Sequence, residues 1–351
     1  MPKIKLPVTR YYGSKRKLIN KIWTKLEELE LNFDSVLDVF GGTGTFSYYA
    51  KKKGKEVIYN DIFKFNSFIG KKLIEQSSNE LTIKEAKLLL KPKKGVIYNG
   101  IITENFGEIY FTDEENNQID TFIQNINFLR SENKKLSAYY LIFQACLIKR
   151  PYNLFHRKNL NMRVNYKGGN FGNKKTWERP FEELFERFIK ELNEFTFDNG
   201  RENKSTNKSA LDCNETADLV YIDPPYFNNK GHHTTYHSKY HFLEGLANYN
   251  DIISNIDHSK KNKEIKINKS DEFERKETFL RDLKLLIDKH PNSNIVISYR
   301  NNGVPSINEL EELIQETREN YINHTIDLGT YGYALNKSNN INNEFLIVSQ
   351  V

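Results

Sequence analysis

Cysteine is nearly absent from this chain of 351 residues: only Cys146 and Cys213 occur. Two thiols are too few for a disulfide framework, and their separation is not that of a zinc site. Both are expected as packed, inert side chains. No stretch approaches the roughly 18 uninterrupted apolar residues that a membrane-spanning helix needs. The start, MPKIKLPVTRYYGSK, has no apolar core of the kind a secretory signal carries, so a cytoplasmic protein is expected. No internal repeat is present. At 38% hydrophobic residues the chain can still build a full core, as one large domain or two of unequal size.

Charge is also modest overall, with a formal net of +6, but it is unevenly placed. Between Lys149 and Phe181, nine basic residues (Lys149, Arg150, Arg157, Lys158, Arg163, Lys167, Lys174, Lys175, Arg179) face a single acid, Glu178. Tyr152, Phe155, His156, Tyr166, Phe171 and Trp177 are interleaved with them, as are Gly168, Gly169 and Gly172. Cations to meet phosphates, aromatic rings to stack or wedge and flexible glycines suit nucleic-acid contact. A solvated basic face is the alternative.

Residues 218–227, DLVYIDPPYF, begin as a strand buried on both faces, where apolar runs are nearly continuous. Pro224 and Pro225 end it, because each lacks an N–H and fixes φ, and Asp223 before them is held extended. The turn presents a carboxylate, backbone carbonyls and the Tyr226 ring at the carboxyl end of a strand, where open α/β sheets bind ligands.

Upstream, Ser14 to Leu29 has the spacing of an amphipathic helix with Ser14 as N-cap. SVLDVF (35–40) reads as a buried strand running into GGTGTF and a helix, and EVIYND (56–61) as the next strand. That βαβ unit predicts a parallel α/β sheet. From about 66 to 218 no strand is expected: helical stretches dominate, with a buried helix over 136–148 and a polar connector over 198–209. Helices near 239–255, 277–290 and 306–319 and strands at 294–300, 322–328 and 344–350 complete the sheet. The catalytic domain is thus expected over 1–65 and 205–351, split by a mainly helical insertion over 66–204 that carries the basic segment.

The glycine turn, Asp38-Val-Phe-Gly-Gly-Thr-Gly-Thr-Phe46, departs from a dinucleotide fingerprint because Ser47 stands where its third glycine belongs. Asp38 also lies where a pyrophosphate would sit. A carboxylate there repels phosphate and attracts an ammonium, which favours S-adenosyl-L-methionine over NAD, with a plain tight turn as the remaining alternative. Asp61, ending the next strand, is placed to accept from both ribose hydroxyls.

With the glycine turn, Asp61 and DPPY on three strands, the chain resembles the Dam-like D12 class of DNA adenine-N6 methyltransferases, in the alpha order. RYYGSK (10–15), NDI (60–62), KRPYNLFHRKNLNMR (149–163), FGNKKTW (171–177), YHFLEGL (240–246), SYRNNG (298–303) and NEFLIV (343–348) carry the similarity over nearly the whole chain. The resemblance implies a Rossmann-like class I methyltransferase sheet with helices on both faces, plus an inserted DNA-recognition domain. It implies that Tyr11 and Lys15 close over S-adenosyl-L-methionine, that Asp38, Phe40, Gly42 and Asp223 surround it, and that Asp61 holds its ribose. Ile62 then lies beside the adenine and Asp212 contacts it. Lys149, Arg150, Arg157, Lys158, Arg163, Lys174 and Lys175 are the implied DNA contacts. Double-stranded DNA is the implied partner, with a cognate restriction endonuclease acting separately and neither metal nor membrane involved.

The chemistry expected is amino methylation. Asp223 and the Pro224 carbonyl each accept one N6 hydrogen of a flipped-out adenine, and Tyr226 stacks on the base. A C5-cytosine enzyme is excluded, since neither cysteine follows a proline. N4-cytosine methylation, an inactive DNA-binding relative and an RNA or small-molecule methyltransferase remain as alternatives. His232, His233, His237 and His241 cluster in sequence, yet Ser238 replaces the glutamate of a zinc-peptidase motif. A loop that closes on substrate is the expectation there.

Overall fold

The apolar runs form most of the strands of the sheet, in the order the hydrophobic pattern predicts, and short strands join them. In the computed structural model, which describes residues 4–8, 13–165, 172–228, 235–266, 272–330 and 343–351, these are β1 (Ser35–Asp38), β2 (Glu56–Asn60), β3 (Lys204–Thr206), β4 (Leu219–Ile222), β5 (Phe227–Asn228), β6 (Asn294–Arg300), β7 (Gly303–Val304), β8 (Ile322–Thr330) and β9 (Asn343–Gln350). Seven of them make one sheet in the order β3-β2-β1-β4-β6-β9-β8. The first five are mutually parallel, and β9 runs antiparallel to both β6 and β8.

Side chains alternate between two buried layers. Val36, Val57, Tyr59, Leu219 and Tyr221 enter one, with helices Ile19–Glu28 and Thr45–Lys52. Leu37, Ile58, Val220, Ile222 and Ile297 enter the other, with helices Phe279–Asp288 and Ile307–Thr317. Both faces are therefore covered, which is why these strands read as continuous apolar runs. Helices Asp113–Ile126, Glu132–Ile148 and Phe181–Phe195 extend the first layer through Phe122, Leu141 and Phe185. Cys146 and Cys213 are buried thiols, as expected. No helix among the described residues is long and apolar enough to cross a membrane.

One strand of the main sheet was not legible, nor was the short β5–β7 pair. β3 lies inside the polar stretch expected to be a connector, and pairs with β2 at the sheet edge. Lys-Ser-Thr has no apolar signal. Its hold is polar: Glu75 accepts from the Ser205 N–H at 3.1 Å, and Thr206 Oγ1 donates to Asn60 Oδ1 at 2.7 Å.

The glycine turn after β1 is fixed by its neighbours. Gly42 and Gly44 adopt φ of 50° and 68°, the left-handed region that favours glycine. Gly41 has another reason: a Cβ there would fall into the Tyr59 ring. Tyr59 in turn donates its hydroxyl to the Gly42 carbonyl at 2.8 Å. The strand-turn-helix unit is thus locked onto the next strand.

Candidate active site

At the carboxyl ends of β1, β2 and β4 lies a cavity of about 360 Å³. Asp38, Asp61 and Asp223, each closing one of these strands, all line it. Three acids distant in sequence therefore converge, as the βαβ reading predicts.

Asp38 is almost wholly buried. Ser47 Oγ donates to its Oδ2 at 2.6 Å, whereas Oδ1 is buried with no hydrogen-bond partner. Burial pushes its carboxyl up to about 7, against the opposing pull of the Ser47 hydrogen bond, with the nearby Asp223 charge adding to the rise. The serine that replaces the fingerprint's third glycine thus orients the acid. A buried, unanswered acceptor facing a cavity is suited to a cationic donor.

Asp61 works first on the protein itself. Its Oδ2 accepts from the Gly42 N–H at 2.8 Å and from Asn66 at 3.1 Å, and its Oδ1 from the Phe63 N–H at 2.8 Å. Each carboxylate oxygen has two lone pairs, so Asp61 clasps the glycine turn and still faces the cavity. Phe40, Gly42 and Ile62 line the cavity too. Phe273 packs edge-on to Phe40, with ring centroids 5.0 Å apart. Beneath them, Phe46 stacks on Tyr221 at 3.7 Å and 4°. Acids and apolar side chains lining one cavity match an amino acid joined to an adenosine. S-adenosyl-L-methionine fits this donor set.

Asp223 anchors a second group. Lys15 Nζ lies 2.9 Å from its Oδ1 and 2.6 Å from Glu344 Oε1. The Tyr226 hydroxyl donates to Asp223 and accepts from Lys15. Burial raises the Asp223 carboxyl, the Lys15 ammonium pulls it back and the Glu344 charge raises it again. Lys15 therefore lines the cavity with its ammonium drawn to the acids of the DPPY turn. The Tyr226 ring is held edge-on to Tyr299, at 5.0 Å and 87°.

Asp212 is not where it was expected, and some of the named residues lie outside the described ones. Asp212 is exposed and does not line the cavity; its N–H bonds Ser209 Oγ at 3.1 Å in a turn that buries Cys213 and directs Asp212 outward. Lys208 and Ala210 line the cavity instead. Tyr11 falls outside the described residues, as do His232 and His233. His241 is buried, with its Nε2 2.9 Å from the Tyr110 hydroxyl and its Nδ1 accepting from the Ile265 N–H at 3.0 Å. Sequence reading missed Glu344 altogether; the signal was an acid heading an otherwise apolar strand, EFLIV.

The basic segment divides in two. Lys149, Arg150 and Arg163, expected to meet DNA, are instead buried braces. Arg150 donates to the carbonyls of Leu154 and Arg157 at 3.2 and 2.8 Å. Arg163 makes a bidentate pair with Glu115 at 2.9 and 2.7 Å, and Lys149 lies 2.8 Å from the same carboxylate. A buried guanidinium satisfied by carboxylate or carbonyls has little left for phosphate. Arg157, Lys158 and Lys175 are exposed and Lys174 half-buried, so these four retain the expected orientation to solvent. Among them stands Tyr152, 54% exposed. It and Asn153 hold φ of 61° and 57°, two adjacent non-glycine residues in the left-handed region.

Burial would raise Glu115, but Arg163 and Lys149 hold it below its usual range. Glu115→Ala leaves two buried cations without their acid and removes the capping contact to the Thr112 N–H at 3.0 Å. The expected loss is about 3–5 kcal/mol of unfolding free energy, read by chemical denaturation.

A family model described as D12 class N6 adenine-specific DNA methyltransferase matches residues 11–283. Type II methyltransferase M2.HphI of Haemophilus parahaemolyticus is 30% identical over 63% of this chain and 66% of its own length. Modification methylase StsI of Streptococcus sanguinis is 25% identical over 95% of this chain and 49% of its own. Modification methylase LlaI of Lactococcus lactis subsp. lactis is 24% identical over 94% of this chain and 52% of its own. The chain thus spans about half to two thirds of the length of these relatives.

Proposed function

Because the chain belongs to the D12 class N6 adenine-specific DNA methyltransferases, we propose that it transfers a methyl group from S-adenosyl-L-methionine to N6 of a flipped-out adenine in double-stranded DNA. We further propose that it does so at one short site, as the modification half of a restriction-modification system. The observation that carries the reading is that Asp223 stands on the rim of the cavity whose buried wall holds the unanswered Asp38 oxygen.

Asp38 would hold the ammonium of S-adenosyl-L-methionine, Asp61 the ribose, and Phe40 and Ile62 the adenine. Once bound, the sulfonium supplies an electrophilic methyl group. Everything else is the work of the chain. An adenine amino group is a poor nucleophile, because its lone pair is delocalised into the ring. Asp223 and the Pro224 carbonyl each accept one N6 hydrogen, which localises the lone pair on nitrogen and aims it into the cavity. Tyr226 offers its ring to the extruded base, held in place by its hydroxyl bond to Asp223. Tyr152 would wedge into the stack, and Arg157, Lys158, Lys174 and Lys175 would meet phosphate; the exposure of Tyr152 supports the first role.

Incubation with mixed-sequence duplex DNA and labelled S-adenosyl-L-methionine, followed by mapping of modified bases, tests the proposal. N6-methyladenine at one short motif is the expected product. Label on cytosine N4, or on RNA in preference to DNA, overturns the adenine reading.

A further inference from the structure

Glu344 heads β9 and is fully buried. An ionised acid in that position is costly unless answered. Its Oε1 accepts from Ser298 Oγ at 2.6 Å and lies 2.6 Å from Lys15 Nζ, while Oε2 has no hydrogen-bond partner among the described residues. Ser298 is on β6, the strand between β9 and the one that ends in Asp223. The Lys15 ammonium therefore lies between two carboxylates, Asp223 at 2.9 Å and Glu344 at 2.6 Å. With all three ionised, one cation answers two acids and a negative charge is left over. Beside the cluster, Asp38 adds a further acid from β1, and the Arg300 guanidinium of β6 lies 5.4 Å from the Tyr226 ring centroid.

We propose that Glu344 is a positioning residue for amino methylation: by sharing the Lys15 ammonium it prevents a closed Lys15–Asp223 pair and leaves Asp223 a strong acceptor for the substrate amine. This rests on the role given to Asp223 above. An acid held by a cation of its own is a weaker base and a weaker acceptor. Replacing Glu344 by glutamine keeps its shape, removes a like charge near Asp223 and gives Lys15 to Asp223 alone. Both changes act in one direction, lowering the basicity of Asp223.

The full chain with Glu344→Gln is compared with the parent and with Glu344→Asp. In Glu344→Gln, kcat is expected to fall about three- to tenfold and the acidic limb of its pH profile to move down by about one unit. The dissociation constant for S-adenosyl-L-methionine stays within about twofold, because Glu344 does not line the cavity. Glu344→Asp, which keeps the charge, returns the limb toward the parent position. A purely structural role would lower activity without moving the limb. The same comparison is made without turnover by carbon-13 NMR of aspartate-labelled protein, with the Asp223 carboxyl assigned through Asp223→Asn. A parent chain that methylates no DNA overturns the functional reading alone, and the titration still decides this one. A downward shift in Glu344→Gln upholds the sharing of Lys15; an unchanged Asp223 titration overturns it.

Discussion

Asp223→Ala is expected to abolish methyl transfer, with kcat lower by at least about 10³-fold, while affinity for duplex DNA is expected to change by no more than about twofold. The size of the effect follows from the chemistry. Without the carboxylate only the Pro224 carbonyl accepts an N6 hydrogen, and the amine lone pair stays delocalised. DNA affinity should be spared because the cations proposed to meet phosphate, Arg157, Lys158 and Lys175 among them, are exposed and lie elsewhere in sequence. The fold is spared for a separate reason. Lys15 keeps Glu344 as a partner at 2.6 Å, so removing Asp223 does not strand a buried cation. Single-turnover transfer of labelled methyl groups and fluorescence anisotropy on the same duplex measure the two quantities. Residual transfer near the parent rate would falsify the role assigned to the DPPY acid.

The second large effect is on the cofactor. Asp38→Asn is expected to weaken binding of S-adenosyl-L-methionine by about 100-fold, the loss of one charge-assisted contact in a buried site. The amide can still accept from Ser47, so the turn is kept and the charge alone is removed. Binding in the parent is also expected to depend on pH, with a definite sign. Burial pushes Asp38 up to about 7, so the free protein holds it largely protonated below that pH, whereas an ammonium binds its ionised form. Affinity therefore climbs as pH rises through about 6 to 7, by up to about tenfold per unit, and binding releases a proton there. The climb ends near pH 8, where an α-amino group begins to lose its own charge. Calorimetry across this window should show the slope in the parent and none in Asp38→Asn. A variant that retains the slope would place the ammonium elsewhere.

Much of the fold was legible for one reason. β1, β2, β4 and β6 are covered on both faces, so burial writes itself into the chain as apolar runs, and the proline pair and glycine turn mark where those runs must end. β3 was not legible, because its hold on the sheet comes from hydrogen bonds by Glu75 and Asn60 and not from apolar side chains. The basic segment misled in part for a related reason. Composition cannot tell an arginine that braces carbonyls from one that waits for phosphate. Arg150 binds backbone near it in sequence, whereas Arg163 and Lys149 depend on Glu115 from an earlier helix.

The sequence by itself determined the chemistry on offer: an acid before two prolines, another before a glycine turn, a third after the next strand. Residue type and backbone restriction are local properties, and they can be read locally. The tertiary structure alone decided how those acids are charged. Asp38 is half-answered because Ser47 takes one oxygen, and Asp223 shares its cation because β9 turns back antiparallel beside β6 and brings Glu344 to Lys15. Electrostatics in a buried site depends on distance in space, and strand order sets that distance.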